Sequence, residues 1–250
     1  MAADYFISTL MNISIKTFIL ILFLAVFSNN LAQNMNRDSE IGLKITHIEN
    51  DFAVGELTNE AWAKADTQSV KKYWSGKNAP VGRQFKAQLL WSKTALYVRF
   101  EANRAEPLVI SDKPDLSKKT IGLWDRDVCE IFIAPDKSEA RRYFEFEVAP
   151  TGEWMDVALD ITSGERKSDW DYKSGMESAV KVEKDRIVMT VKIEWKAFGK
   201  TPKAGDTWLG NIFRCVGKDP DRGYLAWSPT VTVDPSFHVP ETFGKFLFSK

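Results

Sequence analysis

Short segments of alternating apolar and polar residues, separated at regular intervals by turn-forming residues, run through most of the chain. Such segments occupy residues 128–134, 143–148, 154–159, 179–182 and 186–195, with Pro135, residues 150–152, Gly164, Gly175 and residues 184–185 between them. The pattern continues at residues 43–48, 208–216, 224–227 and 243–248. Strands at this spacing are typical of sandwiches and barrels. The sequence therefore predicts an all-β fold, an antiparallel, jelly-roll-like β-sandwich with a few short helices.

Two local predictions accompany this pattern. Residues 85–91 and 95–101 should pair as a hairpin through the tight connection at residues 92–94. Residues 55–65 read as a turn and a short helix, with Thr58 or Asn59 as the N-cap and Trp62 in the core.

The N-terminus resembles a targeting element. Lys16 precedes an unbroken apolar run at residues 18–27, which is shorter than the roughly 20 residues that a membrane-spanning helix needs. Residues 1–32 are therefore predicted to be a signal peptide cleaved after Ala32, with Met11 as a second candidate start; the alternative is a retained membrane anchor. Residues 33–250 should form one β-sandwich domain, secreted or periplasmic, with no membrane contact after cleavage.

Composition narrows the class of ligand. The chain has 34 basic and 34 acidic residues, so it lacks the positive charge with which proteins attract nucleic acid or anionic membranes. A neutral ligand fits this balance better. Its two cysteines, Cys129 and Cys215, lie in apolar segments, where two buried thiols are favoured over a disulfide. With only two histidines, the chain shows no zinc site of the Cys and His type.

Trp124 is the leading candidate for ligand contact. The polar span 111–122 delivers it to a turn, and Asp125, Arg126 and Asp127 follow it directly. An indole beside carboxylates and a guanidinium suits a sugar ring, which has an apolar C–H face and a rim of hydroxyls. The charged neighbours favour a position at a rim; the alternative is a buried core tryptophan.

The strand that follows carries Glu130, which alternation places on the face opposite Cys129, Ile131 and Ile133. We expect its carboxylate to point to the surface beside Trp124, where it would accept hydrogen bonds from sugar hydroxyls. A cross-strand salt bridge is the alternative. Arg214 could be that partner or a second sugar contact, and either role requires it to point into the same concavity as Glu130.

Further aromatic candidates lie in loops. Phe237 and His238 lie between Pro235 and Pro240, either as ligand contacts or as a plug on the end of the sandwich. Trp170, inside the polar loop 163–175, is expected to be exposed, and Trp227 is expected to be core.

These elements together resemble the family 9 carbohydrate-binding modules and the related DOMON-like sandwiches. The matching segments are residues 55–62, 96–100, 124–133, 191–195, 226–229 and 237–244. The resemblance implies that a sugar, often the reducing end of a xylan or cellulose chain, is held between two aromatic rings. It places Trp124 on one ring position, Glu130 on the matching carboxylate, and the second ring near Phe237. A basic residue is implied near Phe146, where this chain has Glu147.

The resulting hypothesis is a secreted, non-catalytic protein that holds a xylan-like or cellulose-like saccharide in support of carbohydrate catabolism, with glycoside hydrolases as possible partners. The resemblance implies a structural calcium, whose ligands spacing does not identify, and no other cofactor is required. Two alternatives stay open. One is a glycoside hydrolase using Glu130 with Glu145 or Glu147. The other is a haem-binding electron carrier, which would need axial ligands such as Met and His.

Overall fold

The computed structural model describes residues 42–250, so the predicted signal peptide lies outside the described residues. Within residues 42–250, thirteen strands account for most of the regular structure. They are β1 (Gly42–His47), β2 (Thr67–Val70), β3 (Phe85–Trp91), β4 (Ala95–Asn103), β5 (Val128–Ala134), β6 (Arg142–Val148), β7 (Trp154–Asp160), β8 (Lys167–Asp169), β9 (Glu177–Val182), β10 (Arg186–Glu194), β11 (Thr207–Val216), β12 (Gly223–Ala226) and β13 (Gly244–Ser249).

Short 3₁₀ helices connect some of the strands. They span Glu60–Lys64, Val81–Arg83, Leu123–Asp125, Lys137–Glu139, Trp195–Phe198 and Pro240–Thr242. Asn59 caps the first of them by accepting a hydrogen bond from the backbone N–H of Ala61, as the sequence predicts. No helix within residues 42–250 is long and apolar enough to cross a membrane.

The strands form one sheet in the order β8-β7-β6-β5-β11-β13-β1-β3-β4-β10-β9, with β12 added to β11 and β2 to β3. The sheet curls on itself. Phe144 and Phe146 of β6 lie 5.5 and 5.7 Å, centroid to centroid, from Phe198, which follows β10. Since β6 and β10 are far apart in the strand order, the two halves of the sheet face each other. The fold is thus the predicted all-β sandwich.

Three details depart from the predicted pattern. Strand β1 is parallel to both β13 and β3, whereas the other pairings are antiparallel. The short strands β2 and β8 were not predicted, because their sequences are polar and lack apolar alternation. Tyr97 in β4, which alternation places on the same face as Arg99 and Glu101, is nevertheless buried against Phe52, whose ring stacks on it at 4.4 Å.

Strand β5 is buried on both faces. One face carries Ile131 and Ile133. The other carries Phe132, which packs with Tyr143, Val157 and Phe213 in an apolar cluster on that side of the sheet, called the second cluster. This second cluster forms the base of the candidate site.

Candidate functional site

A pocket of about 310 Å³ opens above the second cluster. Its floor comes from β5, β6, β7 and β11, and its walls come from loops. The lining residues are Trp124, Asp125, Glu130, Phe132, Glu145, Val157, Leu159, Arg166, Ser168, Trp170, Cys215, Tyr224, Pro235, Ser236, Phe237 and His238. The volume lies at the lower end of the roughly 300–1,000 Å³ usual for ligand pockets, which suits a small ligand or the end of a longer one.

Two tryptophans stand at the edge of this pocket. Trp124 and Trp170 are each 37% exposed, and their ring centroids lie 6.0 Å apart at an interplanar angle of 35°. Both positions agree with the sequence predictions of exposed rings. A pyranose between two rings needs them roughly 7–8 Å apart, twice the ~3.5–4.0 Å of a carbon–carbon contact. The pair therefore acts as one apolar wall, unless a ligand separates the rings.

Three glutamates meet at the floor. Glu130 lies opposite Glu147 in the β5–β6 register, and Glu145 lies two residues from Glu147 on the same face. Their exposed fractions are 1%, 4% and 0%, and one carboxylate oxygen from each lies within 4.8 Å of the others. Glu130 and Glu145 line the pocket, whereas Glu147 lies beneath it.

The closeness of these carboxylates changes their protonation. Burial, together with the charge of Glu145, raises the pKa of Glu130 well above its ordinary value. Burial raises the pKa of Glu145 to about 7. Burial, followed by the charges of Glu130 and Glu145, also raises the pKa of Glu147. The floor thus binds protons at a pH where free glutamates are ionised, because three negative charges cannot share a dry site.

The 235–238 loop closes one side of the pocket. Phe237 stacks on Phe213 with centroids 4.0 Å apart and is buried, so it acts chiefly as a plug while its edge lines the pocket. His238 Nδ1 lies 2.8 Å from the Tyr143 hydroxyl. Burial lowers the pKa of His238 to about 3 and raises that of Tyr143. Both groups are therefore neutral, and the direction of the hydrogen bond between them follows from which ring nitrogen carries the proton.

Two expectations about the site were wrong, and the salt bridge considered as an alternative for Glu130 is not formed. Arg214 lies across from Cys129 in the β5–β11 register, so it points to the face opposite Glu130, where it donates to the carbonyls of Arg83 and Asn103. The residues across from Glu130 are Phe213 and Glu147, so Glu130 has no cross-strand salt bridge. Its carboxylate is also buried rather than at the surface, because the 235–238 loop and the segment around Trp170 cover that face.

Arg126 also lies outside the pocket. Its guanidinium donates to both carboxylate oxygens of buried Glu153, at 2.9 and 3.0 Å, so its charge is used to hold the Trp124 turn.

The two cysteines are unpaired and buried. They lie on opposite faces of the sheet, because Cys215 pairs with Val128 and shares the side of Glu130. The Cys215 thiol lies 3.4 Å from a Glu130 oxygen.

Comparison with known proteins settles the family. A family model described as carbohydrate family 9 binding domain-like matches residues 54–250. The chain belongs to this family. A comparison with curated proteins finds none that matches this chain significantly.

Solved structures share the family 9 fold with this chain. A Bacteroides uniformis protein provisionally assigned to carbohydrate binding has a TM-score of 0.68 and 17% identity over 84% of this chain and 99% of its own. A family 9 module from Caldicellulosiruptor kristjanssonii in complex with cellotriose has a TM-score of 0.60 and 16% identity, covering 83% and 93% of the two chains. A family 9 module from the same organism in complex with glucose has a TM-score of 0.59 and 16% identity, covering 82% of this chain and 95% of its own.

Residues that hold the two tryptophans were not predicted from the sequence. In this family 9 domain the Arg222 guanidinium donates to the backbone carbonyls of Trp124 and Arg126, both at 2.6 Å. Arg222 also donates to the Gly217 carbonyl at 2.6 Å. These hydrogen bonds fix the turn that presents Trp124. No sequence pattern indicated this role, because Arg222 is about 100 residues away along the chain.

Asp156 links the loop that carries Trp170 to the span that precedes Trp124. One carboxylate oxygen accepts hydrogen bonds from the Ser174 N–H at 2.7 Å and hydroxyl at 2.6 Å, and the other lies 2.5 Å from Lys119 Nζ. The same ammonium donates to the carbonyls of Asp156 and Tyr172. Both tryptophan loops are thus fastened to β7.

The raised pKa of Glu145 predicts how stability depends on pH. Between its ordinary pKa of 4.5 and about 7, the folded state keeps a proton that the unfolded state has released. The stability that this proton confers is complete below pH 4.5 and is lost as pH rises through 7. Calorimetry in metal-free buffer would give the melting temperatures of the wild type and of Glu145→Gln. As pH rises from 4.5 to about 7, the melting temperature of the wild type should fall relative to that of the variant. A difference that stays constant with pH would contradict the assignment.

Proposed function

We propose that this family 9 domain binds a neutral saccharide in the pocket beside Trp124 and Trp170, without cleaving it. The observation that carries the proposal is the placement of two exposed indoles directly beside a floor of buried carboxyl groups. The indoles offer an apolar surface to the C–H face of a sugar ring. The floor offers oxygen atoms to its hydroxyls, and the neutral imidazole of His238 lines the pocket beside them.

The ligand class follows from the relatives. Modules of this fold bind cellotriose and glucose, and a chain end made of glucose or xylose units suits the size of the pocket. We therefore propose a cellulose-like or xylan-like oligosaccharide as the ligand. A carboxylate that accepts a hydrogen bond from a sugar hydroxyl contributes roughly 1.5–3 kcal/mol when desolvated, which favours hydroxyl-rich ligands over apolar ones.

A binding panel tests this proposal. The purified protein would be titrated with cello-oligosaccharides, xylo-oligosaccharides and unrelated glycans, with tryptophan fluorescence and calorimetry as readouts. We expect saturable binding of a cello- or xylo-oligosaccharide with a change in fluorescence, since Trp124 and Trp170 are exposed at the pocket. If no glycan in a broad panel binds, saccharide recognition must be abandoned.

The carboxylate cluster also raises the question of hydrolysis. A glycosidase places its acid and its base or nucleophile on the two sides of the scissile bond. In this domain the three glutamates lie on one face of two adjacent strands and approach within 4.8 Å, so they lie on the same side of any bound sugar. We expect no release of product from aryl glycosides. Hydrolysis that Glu130→Gln abolishes would show instead that the domain is an enzyme.

The N-terminal sequence supports a proposal about where in the cell the domain acts. The apolar run at residues 18–27 supports export to the periplasm or the exterior, where the domain would keep a polysaccharide close to glycoside hydrolases. Sequencing the N-terminus of the protein recovered from its host tests export. A mature protein that still begins at Met1 or Met11 would contradict it.

A further inference from the structure

Within the described part of the chain, the three floor glutamates form no direct ion pair with a lysine or arginine. Among residues 42–250, no lysine or arginine forms an ion pair with Glu130, Glu145 or Glu147. The nearest basic group is His238, whose Nδ1 lies 4.0 Å from Glu145. That imidazole is neutral and shares a hydrogen bond with the Tyr143 hydroxyl. Arg166, which lines the pocket, acts on Glu145 through its charge, and Arg222 acts on Glu130, but neither forms an ion pair. Among residues 42–250 the three acidic groups therefore have no direct cationic partner.

Glu147 is the most unusual of the three. It is completely buried, and apart from the carboxyl group of Glu145 its carboxylate oxygens have no hydrogen-bond partner among the described residues. Buried carboxylates are normally paired or bound to a metal, because the cost of leaving one unpaired is several kcal/mol. Its side chain shares the face of the sheet with Glu130 and Glu145, so it points into the cluster. A buried acidic group aimed at two other acidic groups, without a cationic side chain, is an arrangement that a bound cation would stabilise.

We propose that Glu130, Glu145 and Glu147 bind a divalent cation of calcium type at the bottom of the pocket. The geometry fits such an ion. Calcium binds oxygens at about 2.3–2.6 Å, so oxygens on opposite sides of it are roughly 4.6–5.2 Å apart. The three glutamate oxygens lie within 4.8 Å of one another and can therefore surround one ion. The donors are all carboxylate oxygens, which are the ligands that hard cations prefer.

The position of this ion gives it a role in the pocket. Glu147 lies beneath the pocket and Glu130 and Glu145 line it, so an ion among them has protein ligands below and the open pocket above. Calcium takes six to eight oxygen ligands. Its remaining positions face the space where, on the proposed function, a saccharide lies, and two neighbouring sugar hydroxyls could fill them. The cation would then turn an acidic floor into a site for vicinal hydroxyls.

Calcium binding can be measured without any sugar. Protein treated with a chelator and dialysed would be titrated with calcium chloride by calorimetry, and its melting temperature would be recorded with and without the ion. We expect saturable binding of one ion and a rise in melting temperature, since a ligand that binds only the folded state stabilises it. Glu147→Gln, which keeps the shape of the side chain, should weaken calcium binding at least tenfold.

A second comparison keeps the test independent of folding. Without calcium, Glu147→Gln should melt higher than the wild type at pH 7.5, because an amide tolerates the unpaired site better than a carboxylate does. With saturating calcium the order should reverse. Glu60→Gln, which changes an exposed glutamate outside the pocket, should behave as the wild type does in both conditions.

The outcomes separate this inference from the proposed function. Calcium binding that Glu147→Gln abolishes supports the cation site even if no saccharide binds. Absence of binding by calcium, magnesium or manganese to the chelator-treated wild type would overturn it and leave the cluster as protonated carboxyl groups. Binding of glucosamine but of no metal would also overturn it, in favour of an ammonium group as the positive ligand.

Discussion

Replacing Trp124 with alanine should weaken saccharide binding about thirtyfold or more. Trp124 is at the mouth of the pocket, with 37% of its surface exposed and its ring against Trp170. Removing a tryptophan at the centre of a binding site commonly costs about 2 kcal/mol or more, which corresponds to this loss. Calorimetric titration with the oligosaccharide identified in the panel gives the affinity directly.

Controls for this prediction use the same position. Trp124→Phe keeps an aromatic face of smaller area, so its affinity should fall between those of the wild type and Trp124→Ala. Because the ring is exposed, both variants should keep the melting temperature within about 2 °C of the wild type. Unchanged affinity in Trp124→Ala would mean that the sugar does not contact this ring.

Replacing Asp156 with alanine should reduce the free energy of unfolding by about 3–5 kcal/mol, as expected when one partner of a buried ion pair is removed. Asp156 is 1% exposed, and the side chain of its partner Lys119 is 14% exposed. The variant leaves the Lys119 ammonium without its carboxylate and deprives Ser174 of its acceptor. Because the loop with Trp170 then loses the hydrogen bonds that hold Ser174 to β7, saccharide affinity should also fall.

Urea denaturation monitored by circular dichroism measures the first effect of Asp156→Ala, and calorimetric titration measures the second. Asp156→Asn serves as the matched variant, since its amide oxygen can still accept from Ser174 while the charge opposite Lys119 is lost. Its destabilisation should be smaller than that of Asp156→Ala. An unfolding free energy equal to that of the wild type would show that the contacts of Asp156 contribute no net stability.

Much of the fold could be predicted because alternation is a local property. In each long strand, the alternation of apolar and polar residues indicates which side chains face inward. The hairpin of β3 and β4 follows from one short connection. The short strands β2 and β8 escaped prediction because they are extended only through pairing with a neighbour. The parallel position of β1 between β13 and β3 joins segments from both ends of the domain, which local patterns do not encode.

The candidate site was predicted in part for the same reason. The charged residues beside Trp124 indicated a rim, and alternation placed Glu130 on the face that carries the pocket. The direction of Arg214 depends on the register between β5 and β11, which a shift of one residue would reverse. The pairing of Arg126 with Glu153, and the roles of Arg222 and Asp156, depend on contacts between distant loops that only the folded chain brings together.

The most direct measurement of the central claim is a crystal structure of the domain grown with the oligosaccharide that binds most tightly in solution. The account predicts a sugar ring packed against the indole of Trp124 or Trp170, with its hydroxyls directed toward Glu130 and Glu145. A saccharide bound elsewhere on the domain, with the pocket occupied only by water, would contradict it.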